Sequence, residues 1–360
     1  MSDTQLWLRS QAIFSAARSL PLLGPAHPAA GLHGHDFRAR CWQPAAATTP
    51  TTLLDEQARW HSYCQPLNYA HLDQQFPQAS DAGIVQHLHQ QMLQEQPGIT
   101  ELRSHPSQGL IRLDGKRQWA WIRVQFEAAH RLPNVPEGHK CGRMHGHSFS
   151  LKIVSEVSTD DGCPYMPLHA AWEAIRNQVQ HRCLNHIPGL DNPTSEMLAA
   201  WFWPQLQQHL PALRYVKVFE TSSCGAGFDG HSHRIWKDMS LDSAVEFPES
   251  EASEEQWARL HGHTFQLRLQ LSAPLDTVYG WAMDFGDVKS CFDPIFREID
   301  HQPLHRLPGL TDASTPQLLQ WIGQKARAAL PSLSRIDLYQ EQGMGAIQTW
   351  DPDPGLALLT

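Results

Sequence analysis

The chain has 360 residues, 41% hydrophobic and 18% charged, an ordinary globular composition and a length that suggests more than one domain. A formal charge of -9 argues against a general nucleic-acid binder, which needs a clustered basic surface. Apolar runs are too short to span a bilayer, the N-terminal stretch has no continuous apolar h-region, and seven scattered cysteines make no disulfide framework. A reducing cytoplasm is the expected compartment, and the 22 histidines make metal binding worth testing.

Taken in chain order, the first landmark is His33-Gly34-His35, followed by Asp36 and Phe37. Next comes "QQFPQASDAGIVQHLHQQM" from Gln74. Ile122, Val124 and Phe126 then alternate with Arg123 and Gln125, the period of a half-buried strand that ends at His130. A second "HGH" begins at His145, and Phe149, Leu151 and Ile153 continue its strand against Ser148, Ser150 and Lys152. A helix is predicted from about Asn192, with Pro193 at its first position. Its stripe is Leu198, Phe202 and Leu206, with a kink expected at Pro204. The strand "YVKVFE" starts at Tyr215. A third "HGH" starts at His261 and leads into Phe265, Leu267 and Leu269. Val288, Phe292, Phe296 and Ile299 then form one helical stripe.

The three HGH copies are 112 and 116 residues apart, a domain-sized period. The second landmark recurs too: "NHIPGLDNPTSEMLAAWFW" from Asn185 parallels "HRLPGLTDASTPQLLQWIG" from His305. Three homologous α+β domains are predicted, 1–114, 115–230 and 231–360, each in the order strand, strand, helices, strand, strand.

His145 and His147, two apart on a strand, point to one face. If the preceding strand pairs antiparallel, His130 meets them across the ladder. Two such histidines alone fit satisfied strand-end side chains equally well; a third one, and a cysteine nearby, favour metal. Three histidines form a known catalytic zinc set with a fourth position open to water or substrate. Cys141 lies in "PNVPEGHKCGRM", where Lys140, Arg143 and a metal would favour its thiolate. As a fourth ligand it would instead close the site.

"FEAAHRLPNVPEGHKCGRMHGHSF", "IPGLDNPTSE" and "FET" resemble the 6-carboxytetrahydropterin synthases, bacterial relatives of 6-pyruvoyltetrahydropterin synthase. The resemblance spans the whole second domain and is fainter in the other two. It implies tandem ββααββ units of the T-fold, whose strands join in an antiparallel barrel with helices outside and active sites between units. It implies zinc on His130, His145 and His147, Cys141 as base, and Glu220 as pterin anchor, with Thr221 and Thr194 binding substrate. One carboxylate accepts both the ring N–H and the amino group of a pterin. The implied reaction turns 7,8-dihydroneopterin triphosphate into 6-carboxytetrahydropterin, releasing triphosphate and acetaldehyde, on the way to 7-deazapurines and queuosine. Alternatives are a related lyase making 6-pyruvoyltetrahydropterin or cleaving dihydroneopterin, and a non-catalytic pterin-binding partner. No nucleic-acid or membrane partner is implied; three units close a ring alone, or with a second chain in a hexamer-like homodimer.

Against the family pattern, the Asp-His proton relay keeps His181 but has Gln180 for the acid, and "MPL" at Met166 replaces "MDF". The third domain keeps "GWAMDF" from Gly280 and the pair Asp300 and His301. It has Val245 for the first zinc histidine, Trp257 for the cysteine and Gln340 for the glutamate. The first domain has Arg18 and Ala29 at the histidine and cysteine positions, and Asn68-Tyr69 for the relay. Two expectations follow: the outer HGH copies are relics, and the site is either a composite in which Asp300 and His301 complement Cys141, or one that His181 serves alone with Asp300 a leftover.

Overall fold

The computed structural model describes residues 4–351 apart from 46–47, 50, 160–161, 248–257, 311 and 341–342. Trp257 therefore lies outside the described residues.

Twelve strands close a single antiparallel barrel. The first third supplies β1 (Gln5–Arg18), β2 (His33–Pro44), β3 (Ile99–His105) and β4 (Gln108–Arg112), with α1 (Thr52–Cys64) and α2 (Asp81–Leu93) between β2 and β3. The second supplies β5 (Gln118–His130), β6 (His145–Val157), β8 (Leu213–Thr221) and β9 (Cys224–Phe228), with α3 (Met166–Ile175), the two-residue β7 (Arg182–Cys183) and α4 (Ser195–Gln207). The last supplies β10 (His233–Val245), β11 (His261–Ser272), β12 (Leu333–Gln340) and β13 (Gly345–Thr349), with α5 (Phe285–Ile299) and α6 (Thr315–Ala329). Each four-stranded run joins the next through β4–β5, β9–β10 and β13–β1, so the twelve strands leave no open edge; β7 adds to β5 in parallel. No helix among the described residues is long and apolar enough to cross a membrane.

Alternation along the strands decides which residue faces which layer. Phe126, Phe149, Leu151 and Ile153 turn to the helices and are buried, as are Phe265, Leu267 and Leu269. On α5 the buried stripe is Val288, Phe292, Ile295 and Ile299, with Phe296 partly buried. The opposite face lines the barrel lumen. Two seams there need glycine: a Cβ on Gly109 would lie 2.6 Å from the Trp121 ring, and one on Gly225 would lie 2.4 Å from Trp236.

Two sequence expectations shift. The cap of α4 is Thr194, whose hydroxyl accepts from the Met197 amide (3.2 Å), rather than Asn192. The helix also runs without interruption through Pro204.

The same backbone strain recurs three times. Tyr69, His181 and His301 all take positive φ (57°, 55° and 56°), a region that few non-glycine residues occupy. Their amides donate to the carbonyls of Ser15, Glu127 and Asp242, each on the first strand of its third.

Candidate metal centre

The register of β5 and β6 builds the site. His130 is paired directly with His145, and Ala128 with His147, so three imidazoles gather at one end of the hairpin on its helix face. Ring centroids are 4.5 Å apart for His130–His145, 5.0 Å for His145–His147 and 5.2 Å for His130–His147. Glu220, on β8, completes the group: one ligand atom from each of the four residues lies within 4.8 Å of every other. Among the described residues this is the one cluster of that kind.

The tautomers suit a cation. His130 Nδ1 lies 3.0 Å from the Pro193 carbonyl and His145 Nδ1 lies 2.8 Å from that of Arg143. A carbonyl only accepts, so each Nδ1 carries the proton and each Nε2 lone pair is left for a metal. His130 is 1% exposed and its Nε2 is buried with no hydrogen-bond partner, an expensive arrangement without a ligand. Burial also holds His130 and His147 below the usual imidazole range, against the opposing charge of Glu220, so both are neutral donors at pH 7. The donor set therefore fits a small divalent cation.

Cys141 sits outside the ligand group, on a short turn (Lys140–Gly142), half-buried. Its amide donates to His139 Nδ1 (3.2 Å) and its carbonyl accepts from Leu132 (2.8 Å). Without a metal its thiol is pushed up, by burial first and by Glu220 second, with Lys140 opposing. The expected help from Lys140 is thus the smaller influence. Glu220 accepts from Ser195 Oγ (2.6 Å) and faces His147 Nε2 at 3.4 Å, so its carboxylate is shared between the first residue of α4 and the histidine cluster.

The neighbouring third covers this site. Thr194 Oγ donates to the Gly280 carbonyl (2.7 Å), Asn192 to that of Tyr279 (2.6 Å), and Asn134 to that of Val278 (2.7 Å). Glu196 accepts from the Ala282 amide (3.0 Å), and burial pushes its carboxyl up to about 7. The Thr194 hydroxyl is thus engaged twice, at the cap and at Gly280. Thr221 closes the β8–β9 turn, contacting Cys224 Sγ at 3.0 Å. Glu196 went unnoticed in the sequence, where only the "TSE" string marks it.

The relay residues divide. His181 is 2.9 Å, through Nε2, from Glu127 Oε2, a carboxylate 54 positions away, and both side chains are exposed. Both line a groove with His147 and Ser148. Asp300 and His301 are paired at 2.9 Å, and Asp300 accepts from the Asp242 amide; these bonds hold them to β10 and none reaches Cys141 or the histidine cluster. Elsewhere, Arg18 forms a buried pair with Asp81 (2.7 Å), whose other oxygen accepts from Ser104 (2.5 Å) and Tyr165 (2.6 Å). His261 faces Val245 across its ladder.

A sequence model of the family described as 6-pyruvoyl tetrahydropterin synthase matches residues 120–231 and again 230–349. Over 121 residues the chain is 36% identical to the 6-carboxy-5,6,7,8-tetrahydropterin synthase of Synechocystis, covering 30% of this chain and 92% of that protein. Over 99 residues it is 30% identical to the dihydroneopterin monophosphate aldolase of Pyrococcus furiosus, covering 27% and 83%. The Caenorhabditis elegans 6-pyruvoyl tetrahydropterin synthase structure aligns with 31% of this chain and 92% of its own at 13% identity and a TM-score of 0.29. With two tandem matches that together cover more than half its length, the chain belongs to the 6-pyruvoyl tetrahydropterin synthase family.

Proposed function

We propose that this chain is a zinc-dependent 6-carboxytetrahydropterin synthase with one working metal centre, on His130, His145 and His147. The reaction consumes 7,8-dihydroneopterin triphosphate and water and releases triphosphate and acetaldehyde, supplying 7-deazapurine and queuosine synthesis. The observation that carries the reading is the converging cluster of three histidines and Glu220, with Cys141 outside it but within the electrostatic reach of Glu220. A bound zinc supplies Lewis-acid polarisation of substrate oxygens. Glu220 holds the pterin through adjacent N–H donors, fixed by Ser195. Cys141 moves the proton at the acidified side-chain carbon. Residues 1–114, 115–230 and 231–360 are read as three copies of one unit, supported by the repeated strand order and by the three strained turns. A homodimer completing a hexamer-like assembly belongs to the same reading.

The decisive experiment incubates purified protein with dihydroneopterin triphosphate and identifies the product by mass spectrometry. A carboxylated tetrahydropterin is expected, with close to one zinc per chain after mild dialysis. A 6-pyruvoyl product, or cleavage to a hydroxymethylpterin, would transfer the assignment to a sister lyase, the second reading that the Pyrococcus relative favours. Three zinc equivalents per chain would overturn the assignment of the outer HGH pairs as relics.

The relay is assigned to His181 with Glu127, which line one groove with His147. His181→Ala is expected to lower turnover about 10²-fold, the scale of one acid–base group, with zinc content unchanged. If Asp300→Asn produces that loss and His181→Ala does not, the composite site is right and the third domain is a catalytic partner.

A further inference from the structure

The first third repeats the geometry of the metal centre with different chemistry. Arg18 pairs with His33 as His130 pairs with His145, so a guanidinium takes the place of the first histidine. Ser104 follows Arg103, the partner of Arg38, as Glu220 follows Phe219, the partner of Ser150. Asp81 opens α2 after its Ser80 cap, as Ser195 opens α4 after Thr194. The hydrogen bond between strand end and helix start is therefore kept while its ends are exchanged: Ser195 donates to Glu220 (2.6 Å), and Ser104 donates to Asp81 (2.5 Å). Cover again comes from the next third. Tyr165, one residue before α3, donates to Asp81 (2.6 Å), where the equivalent Ala282 meets Glu196. Ala29 stands at the position of Cys141. In the last third, by contrast, Val245 and the neutral pair Gln340–Thr315 (3.0 Å) occupy these places.

Arg18 and Asp81, 3% and 6% exposed, line a cavity of about 490 Å³, the size of a small-molecule pocket. Leu20, Leu23 and Pro164 give it apolar sides. Its charges are balanced. Arg18 and Asp81 neutralise each other at 2.7 Å. Burial opposes the Asp81 carboxylate, yet Arg18, Ser104 and Tyr165 hold its carboxyl below the usual range. Burial, then Asp81, pushes the Tyr165 hydroxyl up, so the proton stays on the tyrosine. Burial also holds His35 and His169 below the usual imidazole range. A phosphate or carboxylate entering the cavity would have to compete with Asp81 for Arg18.

Hydrogen-bonding positions remain for a neutral guest. Arg18 Nε is buried with no partner. His33 and His35 turn Nδ1 to the carbonyls of Gly31 (2.9 Å) and Asp36 (3.2 Å), so each keeps an Nε2 lone pair. At the exposed rim, His27 and His105 accept backbone amides at Nδ1 (3.1 and 3.2 Å), which puts their protons on Nε2.

We propose that this cavity is a second, non-catalytic ligand site, which takes a neutral bicyclic lactam heterocycle of the pterin or guanine type. A lactam presents a carbonyl acceptor and a ring N–H donor side by side. The carbonyl accepts from Arg18, and the N–H donates to an imidazole Nε2 of the HGH pair. With no counterpart of Cys141 or of the third histidine, the guest is held and not turned over. The pterin alternative rests on the function proposed above; the chemistry of the pocket does not.

Biopterin fluorescence and guanosine calorimetry, on Glu220→Ala protein, test the site with the proposed pterin anchor of the metal centre removed. Saturable binding of one heterocycle per chain is expected, and it should weaken about 10-fold or more in Glu220→Ala/Ala29→Trp, where an indole occupies the cavity. Ala29 is half-buried in a loop and its backbone bonds to Leu20 and His27 survive the change, so the variant should fold; should it not, His35→Ala takes its place. Biopterin alone identifies a pterin source, guanosine alone a purine, and both together a site that reads only the lactam edge. GTP should bind about 10-fold more weakly than guanosine, because its charge competes with Asp81 for Arg18. Zinc content and turnover of the single variant Ala29→Trp should equal those of wild type. The proposal is overturned if neither heterocycle binds the Glu220→Ala protein saturably, if binding survives both Ala29→Trp and His35→Ala, or if GTP binds as tightly as guanosine. Failure of the proposed reaction would show instead in the wild-type product, which none of these titrations reads.

Discussion

His145→Ala should strip the protein of its zinc and of all measurable turnover. His145 is a suitable member to remove because, like His147 and unlike His130, it is half-exposed: its ring contributes a ligand nitrogen but little core packing. His130 is 1% exposed and lies edge-on to Phe149 at 5.4 Å, so its truncation would also leave a void and confuse loss of metal with loss of fold. Removing the hydrogen-bond partner of a ligating histidine already costs roughly 10–100-fold in metal affinity, so removing the ligand itself should cost more. Metal analysis after dialysis would read near zero, against near one equivalent in wild type, with the melting profile otherwise retained. His33→Ala and His261→Ala should leave zinc content unchanged, because Arg18 and Val245 occupy the third-ligand position in those copies. A His145→Ala protein that keeps its metal would remove the centre from these residues altogether.

Much of this site was legible because strand alternation is a strict rule. Once His145 and His147 are on one strand with Phe149, their facing is fixed, and an antiparallel partner ending at His130 brings the third ring to them. The α5 stripe was readable for a similar reason, with Val288, Phe292 and Ile299 at helical spacing. The illegible parts are non-local. Nothing around Gln180 shows that Glu127, on a strand 54 residues earlier, reaches His181. Arg18 reads as a simple loss of a ligand, yet it is one half of a buried pair with Asp81. Thr194 capped its helix in place of Asn192 because its hydroxyl reaches both Met197 and the segment at Gly280, a contact made only after the barrel closes. The lumen was invisible for the opposite reason. Arg123 and Lys152 alternate with apolar neighbours as solvated residues do, and only ring closure turns that outer face into an interior.

Cys141→Ala should keep zinc and pterin binding while turnover falls by about 10²-fold or more. The separation follows from geometry. Cys141 is not among the residues whose ligand atoms lie within 4.8 Å of one another, so removing the thiol leaves the three histidines of the metal centre in place. The turn that carries Cys141 is held by its backbone, through the Leu132 amide and His139 Nδ1, and alanine preserves both bonds. What disappears is the proton acceptor, and one positioned acid–base group is worth about 10²–10⁴ in rate. In the metal-free protein, burial and Glu220 both disfavour the thiolate, with only Lys140 opposing. A bound cation beside Glu220 would offset that carboxylate, so the thiol should alkylate faster at neutral pH in zinc-loaded protein than in chelator-treated protein. Cys141→Ser, which keeps a hydroxyl of far higher pKa, should fall nearly as far as Cys141→Ala. If zinc leaves together with the cysteine, the thiol is a ligand and the centre is a closed structural site; if turnover survives the loss, the base is elsewhere, and the His181–Glu127 pair is the next candidate.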